Sequence, residues 1–316
     1  MIVGRRVIRL GLVGAGAWGR NYMRTIDRVE GVCLARLATR NPEIASLTDT
    51  QCIISRDWRE LVEATDLDAL ILAVPPNTQV EIAIAALENR LPLLLEKPLA
   101  TNVDDAERIA GLAEKKNVPV LVDHVHLFSP AYAVLKNEVG MLGAINSIRA
   151  TSGDTGPFRK SWTPLWDWGP HDVAMCLDLA GDQPNSIIAE CEEVHTDDGI
   201  GEVFHTKLGF PSGITASLEF GNAMGGKIRT LTVAGDGSEI VYDDLAATKV
   251  VRFEHGNKST LGVSSELALD QVVKVFAAGL HETDAALFDL DLAVQVVRIL
   301  SEIERQCVNK QPLKIV

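Results

Sequence analysis

The fold of this chain is decided by residues 7–19, whose sequence is VIRLGLVGAGAWG. The apolar run Val7–Val13 predicts a buried β-strand, and the segment from about Trp18 to Val29 predicts a helix. Between the two stands the pattern GxGxxG. A strand that passes through this pattern into a helix is typical of a βαβ unit that binds a dinucleotide, whereas the alternative is a plain strand-to-helix turn without a ligand.

Each glycine of the pattern has a physical task at a bound pyrophosphate. Gly14 permits a tight turn, Gly16 lets the anion approach the backbone, and Gly19 lets the helix pack closely on the strand. The N-terminus of the helix attracts the negative charge. We therefore predict that the loop binds the cofactor through Gly14, Gly16, Ala17, Trp18 and Gly19.

The segment about 20 residues beyond the loop indicates which dinucleotide is bound. An acidic side chain there would bind the ribose 2′-hydroxyl of NAD, but the segment Ala38–Asn41 contains no acid. Its Thr39 and Arg40 suit a 2′-phosphate better, because a guanidinium binds phosphate oxygens in pairs. We expect NADP, with NAD as the alternative if Arg40 is only a solvated loop residue.

The two halves of the chain show different patterns. Up to about residue 123, apolar strands alternate with helices, two of which we expect to begin at Thr78, with capping-box spacing to Glu81, and at Thr101. From about Ile145, consecutive strands are separated by glycine-rich turns, which predicts antiparallel pairing. The predicted fold class is α/β, with an N-terminal Rossmann domain (a doubly wound parallel sheet, residues 1–123) and a C-terminal α+β domain with an open, largely antiparallel sheet (residues 124–316).

The composition excludes several kinds of partner. The 316 residues carry a formal net charge of −13, so no basic surface is available to nucleic acid or anionic membranes. The apolar runs are too short to span a membrane. The five cysteines are scattered without a CxxC pair, which argues against a disulfide framework or a metal site and favours a reducing, cytoplasmic location.

Three predicted strand ends carry residues suited to a ligand, which in open α/β sheets lies at the carboxyl ends of the strands. Pro75 and Asn77 follow one strand, and we expect them to contact the nicotinamide ribose. Glu96-Lys97-Pro98 follows the next strand, and Asp123-His124 follows the one after. A lysine beside a strand end is usually solvated, but the flanking Glu96 and Pro98 favour a fixed position for Lys97.

Three motifs in this order give the chain a specific resemblance. GAGAWG at residues 14–19, EKP at 96–98 and DWGPH at 167–171 resemble the glucose–fructose oxidoreductase/inositol dehydrogenase (Gfo/Idh/MocA) family, and the similarity covers nearly the whole chain. The resemblance implies an NAD(P)-dependent oxidoreductase acting on sugars, inositols or nucleotide sugars. It also implies that Lys97, Asp167 and His171 are catalytic and that Glu96 lies near the nicotinamide ribose.

The chain departs from the family pattern at three places. Gln79 stands where many relatives have a histidine. Ala174 stands where an acid often follows the motif histidine, and Asp172 is adjacent to that histidine instead. The stretch His126-Leu-Phe128 lacks the arginine that many relatives have there. These departures bear on the substrate more than on the reaction.

Oxidation of a secondary alcohol needs a hydride acceptor and a group that removes the hydroxyl proton. We expect Lys97 and His171 to share the proton, because histidine titrates near neutral pH and burial lowers the pKa of a lysine. Asp167, four residues before His171, is expected to position the imidazole or a substrate hydroxyl. The structural alternative is that Gly169-Pro170 only starts a helix, with His171 in its first turn.

The remaining substrate-binding candidates lie near these catalytic residues in the predicted fold. His124 follows a strand end, Arg159 suits a phosphate or carboxylate, and the indole of Trp166 suits the apolar face of a sugar ring. The alternative for the tryptophans between residues 162 and 168 is that they fill the seam between the domains. The predicted substrate-binding set is Lys97, His124, Arg159, Trp166, Asp167 and His171.

The leading hypothesis is a cytoplasmic enzyme that transfers a hydride between NAD(P) and a secondary alcohol or ketone of a sugar, cyclitol or nucleotide-sugar derivative. The alternatives are a non-catalytic NAD(P)-sensing regulatory protein on the same scaffold and a reductase of a non-sugar substrate. We further expect one face of the antiparallel sheet to be exposed and partly apolar, which favours a homodimer or homotetramer.

Overall fold

The computed structural model describes residues 6–158, 163–280 and 290–309, with the side chains of residues 45–47 and 309 left out of the description. Contacts within the chain define two compact units. The first comprises Met1–Val125 and Leu267–Val294, and the second comprises His126–Glu266 and Gln295–Val316. The predicted boundary at residue 123 stays a prediction, because contacts do not show which segments fold independently.

The first unit is built on six parallel strands. They are β1 (Ile8–Val13), β2 (Val32–Ala38), β3 (Ile53–Ser55), β4 (Ala69–Leu72), β5 (Leu93–Glu96) and β6 (Val120–Asp123). Their order is β3-β2-β1-β4-β5-β6, and each neighbouring pair is parallel. All residues of β4 are completely buried, as expected in a parallel sheet with both faces covered. The predicted doubly wound sheet is confirmed.

The second unit contains a sheet of eight strands. They are β7 (Ser147–Thr155), β8 (Ser186–Thr196), β9 (Gly199–Gly209), β10 (Thr215–Gly221), β11 (Ala223–Gly235), β12 (Ser238–Asp243), β13 (Val250–Glu254) and β14 (Asn257–Leu261). Their order is β14-β13-β12-β11-β7-β10-β9-β8. Among the described strand pairs of this second sheet, β7 and β10 alone run parallel, so the predicted, largely antiparallel sheet is confirmed.

The outward face of this sheet carries both charged and apolar side chains. Exposed charged side chains from neighbouring strands lie side by side there, including Arg149, Lys207 and Glu219. Apolar side chains are exposed as well: Ile188 on β8 is 60% exposed and Phe253 on β13 is 39% exposed. A homo-oligomer formed through this sheet stays a prediction, which sedimentation of the full chain would test.

The described helices are α1 (Ala17–Arg28), α2 (Arg59–Val62), α3 (Pro76–Glu88), α4 (Val103–Lys116), α5 (Pro130–Val139), α6 (Pro164–Ala180), α7 (Ala268–Gly279) and α8 (Asp291–Asn309). In the first unit α7 lies against α1, where Arg28 pairs with Asp270 at 2.6 Å. None of the helices in the described ranges is long and apolar enough to cross a membrane.

Two predicted helix starts were wrong by one or two residues. Helix α3 begins at Pro76, and the backbone N–H groups of Thr78 and Gln79 both donate to the Pro75 carbonyl without a side-chain cap. Helix α4 is capped by Asn102, whose side-chain oxygen accepts from the Asp105 N–H at 2.8 Å, and not by Thr101. In each case a residue near the predicted start accepts hydrogen bonds from backbone N–H groups in the first turn of the helix.

The predicted helix start at Gly169-Pro170 was also wrong. Helix α6 begins six residues earlier, at Pro164, and continues through Pro170. A Cβ added at Gly169 would lie 2.6 Å from a methyl carbon of Leu300 and 3.2 Å from the ring of Phe220. Gly169 is therefore needed for close packing inside the second unit, and the dipeptide does not mark a helix end.

Candidate active site

A cleft of about 350 Å3 lies at the carboxyl ends of β1, β2 and β4 in the first unit. Its walls are the glycine loop, the segments that follow β2 and β3, and the first turn of α3. The lining residues that matter below are Gly14, Gly16, Thr39, Arg40, Arg56 and Trp58. The cleft is therefore at the edge of the sheet where the sequence predicts a dinucleotide.

The glycine loop has the open backbone that a pyrophosphate needs. Gly14 has a φ of +97°, which side chains rarely adopt, and its N–H donates to the Ala38 carbonyl. A Cβ added at Gly19 would lie 2.1 Å from the Gly14 oxygen, whereas one at Gly16 would meet no atom within 4 Å. Ala17 and Trp18 are exposed in the first turn of α1, so these residues fit an anion at the helix N-terminus.

The different surroundings of Gly16 and Gly19 give a matched pair of substitutions. We expect Gly16→Ala to fold normally but to bind NADP about 10-fold or more weakly, because the methyl group projects into the open side of the loop. Gly19→Ala should instead lower the free energy of unfolding by about 1–3 kcal/mol through overpacking. Urea denaturation and titration calorimetry separate the two effects. Normal NADP binding by Gly16→Ala would show that the loop does not hold the pyrophosphate.

The far end of the cleft is basic. Thr39 and Arg40 line it, and Arg56, which follows the unpredicted strand β3, joins them. Within the described residues, neither Arg40 nor Arg56 has a hydrogen bond or ion pair, and both are exposed. The nearby Arg59 stacks on Trp58 at 4.4 Å and pairs with acidic neighbours. Two uncompensated guanidinium groups therefore face the cleft.

The Glu96-Lys97-Pro98 turn is held by a buried amide. The Gln79 side chain donates to the carbonyls of Glu96, at 2.8 Å, and Pro98, at 3.0 Å. Lys97 lies between these two anchored carbonyls and is half-buried. The backbone on both sides of Lys97 is therefore anchored by Gln79, the residue at which the chain departs from the family pattern. Pro75 and Asn77 are exposed at the start of α3.

Two carboxyl groups lie beside this turn at neighbouring strand ends. Glu96 and Asp123 are register partners on β5 and β6, and they are 8% and 2% exposed. Burial and the neighbouring Asp123 raise the pKa of Glu96 to about 8, and burial raises the pKa of Asp123 to about 7. Tyr22 on α1 donates to Asp123 at 2.6 Å. The role of Tyr22 and Asp123 was not predicted.

His124, a predicted substrate-binding residue, is fully enclosed. It is 4% exposed, and among the described residues neither ring nitrogen has a hydrogen-bond partner. Burial, with a smaller effect of the Lys97 charge, lowers the pKa of His124 to about 4. The imidazole is therefore neutral at physiological pH, so it can donate or accept a hydrogen bond but carries no charge.

In the second unit, α6 presents the two motif residues on one face. Asp167 and His171 are four residues apart and therefore lie one helical turn from each other. His171 packs edge-on against His126, with the ring centroids 4.8 Å apart and the planes at 86°. His126 also lies near Asp244. Burial alone would raise the pKa of Asp244, but the opposing effects of His126 and Lys249 leave it below its ordinary value. His126 was missed because only the tertiary fold brings it to α6.

Asp172, adjacent to His171, has a separate environment. It is completely buried and accepts a short hydrogen bond from the Ser152 hydroxyl on β7. Burial raises the pKa of Asp172 to about 7, although the Ser152 bond and the Arg229 charge act in the opposite direction. The carboxyl therefore anchors α6 to the sheet of the second unit, next to the motif histidine.

The other predicted substrate contacts divide between packing and undescribed residues. Trp166 is 4% exposed, and its indole N–H donates to Glu304 at 3.1 Å. This burial favours the packing alternative for Trp166. Trp168 is partly exposed, with the Arg229 guanidinium 5.5 Å from its ring centroid. Arg159 and Trp162 lie outside the described residues.

Two family models match this chain. One, described as an oxidoreductase family with an NAD-binding Rossmann fold, matches residues 8–124. The other, the GFO/IDH/MocA C-terminal domain, matches residues 137–241. These two matches correspond to the parallel sheet and to most of the second sheet.

Individual relatives extend over most of the chain. A protein of known structure from Magnetospirillum magnetotacticum MS-1 is 36% identical, with a TM-score of 0.85 over 95% of this chain and 99% of the other. The 4-carboxy-2-hydroxymuconate-6-semialdehyde dehydrogenase of Sphingobium sp. is 26% identical over 95% of this chain and 98% of its own. Myo-inositol 2-dehydrogenase of Thermotoga maritima is 24% identical over 77% and 78% of the two chains.

The fold, the glycine loop and these matches define the class as a nicotinamide-dependent oxidoreductase. The chain belongs to the Gfo/Idh/MocA family of NAD(P)-dependent dehydrogenases and reductases, as its motifs predicted.

Proposed function

We propose that this enzyme transfers a hydride between NADP and a secondary alcohol or ketone of a sugar, cyclitol or nucleotide-sugar derivative. The observation that carries the proposal is the pairing of an open glycine loop with a lysine held in a fixed turn, both at the carboxyl edge of one sheet. A dinucleotide bound along that edge would have its reactive end near Lys97.

The nicotinamide supplies the hydride acceptor or donor when bound. Oxidation of the alcohol also releases one proton, which the protein must accept, and reduction of the ketone requires that proton back. We assign the proton to Lys97 and His171, with Asp167 positioning the imidazole or a substrate hydroxyl. Glu96 would lie near the nicotinamide ribose, as the family resemblance of the EKP motif implies.

The relatives support a class of substrate but do not identify one particular substrate. One is a dehydrogenase of an inositol and another a dehydrogenase of a semialdehyde. Both are far below the identity at which a substrate could be transferred. The shared feature is oxidation at a carbon that bears oxygen, which agrees with a lysine and a histidine for proton transfer.

Substitution of the proposed proton-transfer residues tests the function directly. A panel of polyols, sugars and nucleotide sugars is first assayed with NADP and NAD to find the substrate. We then expect Lys97→Met and His171→Asn each to lower kcat/KM by about 10²–10⁴-fold, because a positioned acid or base contributes that much. The Kd for NADP should change little. The control is Lys136→Met, which removes an exposed lysine paired with Asp178 on α5 and α6.

Full activity in both variants would refute the residue assignment. NADP binding without turnover across the whole panel would instead favour the nucleotide-sensing alternative, so the two failures are distinct.

The preference for NADP rests on the two guanidinium groups in the cleft. We expect Arg40→Ala and Arg56→Ala each to weaken NADP binding by about 10-fold, the effect of losing a charge-assisted contact to phosphate. Binding of NAD should be nearly unchanged, and 2′,5′-ADP should compete better than 5′-AMP in the wild type only. Arg108→Ala on α4, which removes an exposed arginine outside the cleft, is the control. Equal losses for NADP and NAD would contradict the 2′-phosphate contact.

A further inference from the structure

The carboxyl groups of Glu96 and Asp123 are neighbours by the geometry of the sheet. The two residues end adjacent parallel strands and are Cα partners in the register, so their side chains leave the sheet on the same side. Both are more than nine-tenths buried. The pair is thus built into the first unit and is not a chance encounter of exposed side chains.

Tyr22 connects this pair to the glycine loop. It lies on α1 three residues after Gly19, is completely buried, and donates its hydroxyl hydrogen to Asp123 at 2.6 Å. Among the described residues, one oxygen of Glu96 and the second oxygen of Asp123 are buried without a hydrogen-bond partner. One oxygen of each acid is therefore left without a donor among the described residues.

Two buried carboxylates at neighbouring positions cannot both be ionised at low cost. Each charge loses its hydration, and the two charges repel each other in a medium of low dielectric. A single proton on the pair removes one charge and provides the missing donor. The arrangement resembles other pairs of adjacent acids, in which the second proton is lost at a much higher pH than the first.

We propose that Glu96 and Asp123 hold one proton between them, and that Asp123 and Tyr22 are positioning residues that set the charge beside Lys97. The inference deepens the proposed function, on which it rests for its consequence at Lys97. The shared proton itself requires neither cofactor nor substrate.

The groups that face the pair agree with this arrangement. Lys97, directly after β5, is the nearby cation and lowers the pKa of both carboxyls, against the larger effect of burial. His124, directly after β6, is neutral because burial lowers its pKa to about 4. Tyr22 stays protonated because burial and both acids raise its pKa. A pair with one proton therefore balances the charge of Lys97.

Two substitutions should move the titration of the pair in opposite directions. Asp123→Asn removes the negative charge that raises the pKa of Glu96, so Glu96 loses its proton at lower pH. Tyr22→Phe removes the hydrogen bond that lowers the pKa of Asp123, so the pair keeps its proton to higher pH. We expect each shift to be about 1 pH unit.

Isotope-edited infrared spectroscopy of the full chain without cofactor measures this titration. The protein is labelled with carbon-13 at the Glu and Asp carboxyl groups, and the band of the protonated acid is followed with pH. The wild type should show the band of a protonated acid near neutral pH. The pH at which this band disappears should be lower in Asp123→Asn and higher in Tyr22→Phe. Because Asp172 also retains a proton, Asp172→Asn serves as the background for all three spectra.

Tyr132→Phe is the matched control for Tyr22→Phe. Tyr132 is a second buried tyrosine that donates to a carboxylate, Asp178, at 2.7 Å, within the second unit. It should leave the band unchanged. Complete ionisation of the wild-type acids at their ordinary pKa of about 4 would overturn the proposal, and so would equal shifts in the two tyrosine variants. The wild-type titration decides the question even if a variant fails to fold.

The effect of the acid pair on catalysis is measured separately, by the pH profile of kcat/KM. In Asp123→Asn the pair cannot carry two negative charges beside Lys97, so the basic limb of the kcat/KM profile should move to lower pH. A purely structural loss would lower kcat/KM equally at every pH, which would contradict the role of Asp123 toward Lys97. If the infrared titration behaves as expected while neither the wild type nor any variant turns over a substrate, the proposed function is refuted, but the proton shared by Glu96 and Asp123 is not.

Discussion

The close approach of Gly19 to the Gly14 carbonyl is the constraint on which the first unit depends. No side chain fits between them, so α1 lies directly against the end of β1. The same contact has two consequences. It leaves the Gly16 backbone open at the helix N-terminus, and it brings Tyr22, one turn further along α1, to the carboxyl end of β6. The anion site and the donor to the acid pair thus share one structural cause.

Local patterns predicted what local geometry determines. The glycine loop, the alternation of strands and helices, and the turn after β5 are all contained in short segments, so spacing alone was sufficient. Strand β3 and helix α5 were missed; β3 has three residues and is half exposed, which leaves little hydrophobic pattern to detect. Arg56 was missed with β3, because its place in the cleft depends on that strand.

The failures concern contacts between distant segments. Gly169 was taken for a helix start, but its role is to admit Leu300 and Phe220 to the helix surface, and both are far away in the chain. Trp166 is held by Glu304, and Asp123 by a tyrosine 101 residues earlier. No sequence spacing encodes such partners.

Gln79 shows how one such contact changes the electrostatics of the site. The family resemblance of the motifs implies a histidine at this position in many relatives, and an imidazole there would add a group that titrates near neutral pH. The amide instead holds the Glu96-Lys97-Pro98 turn through two carbonyls and carries no charge at any pH. His124 is already neutral. At the turn after β5, the charge therefore depends on Lys97 and on how many protons Glu96 and Asp123 hold.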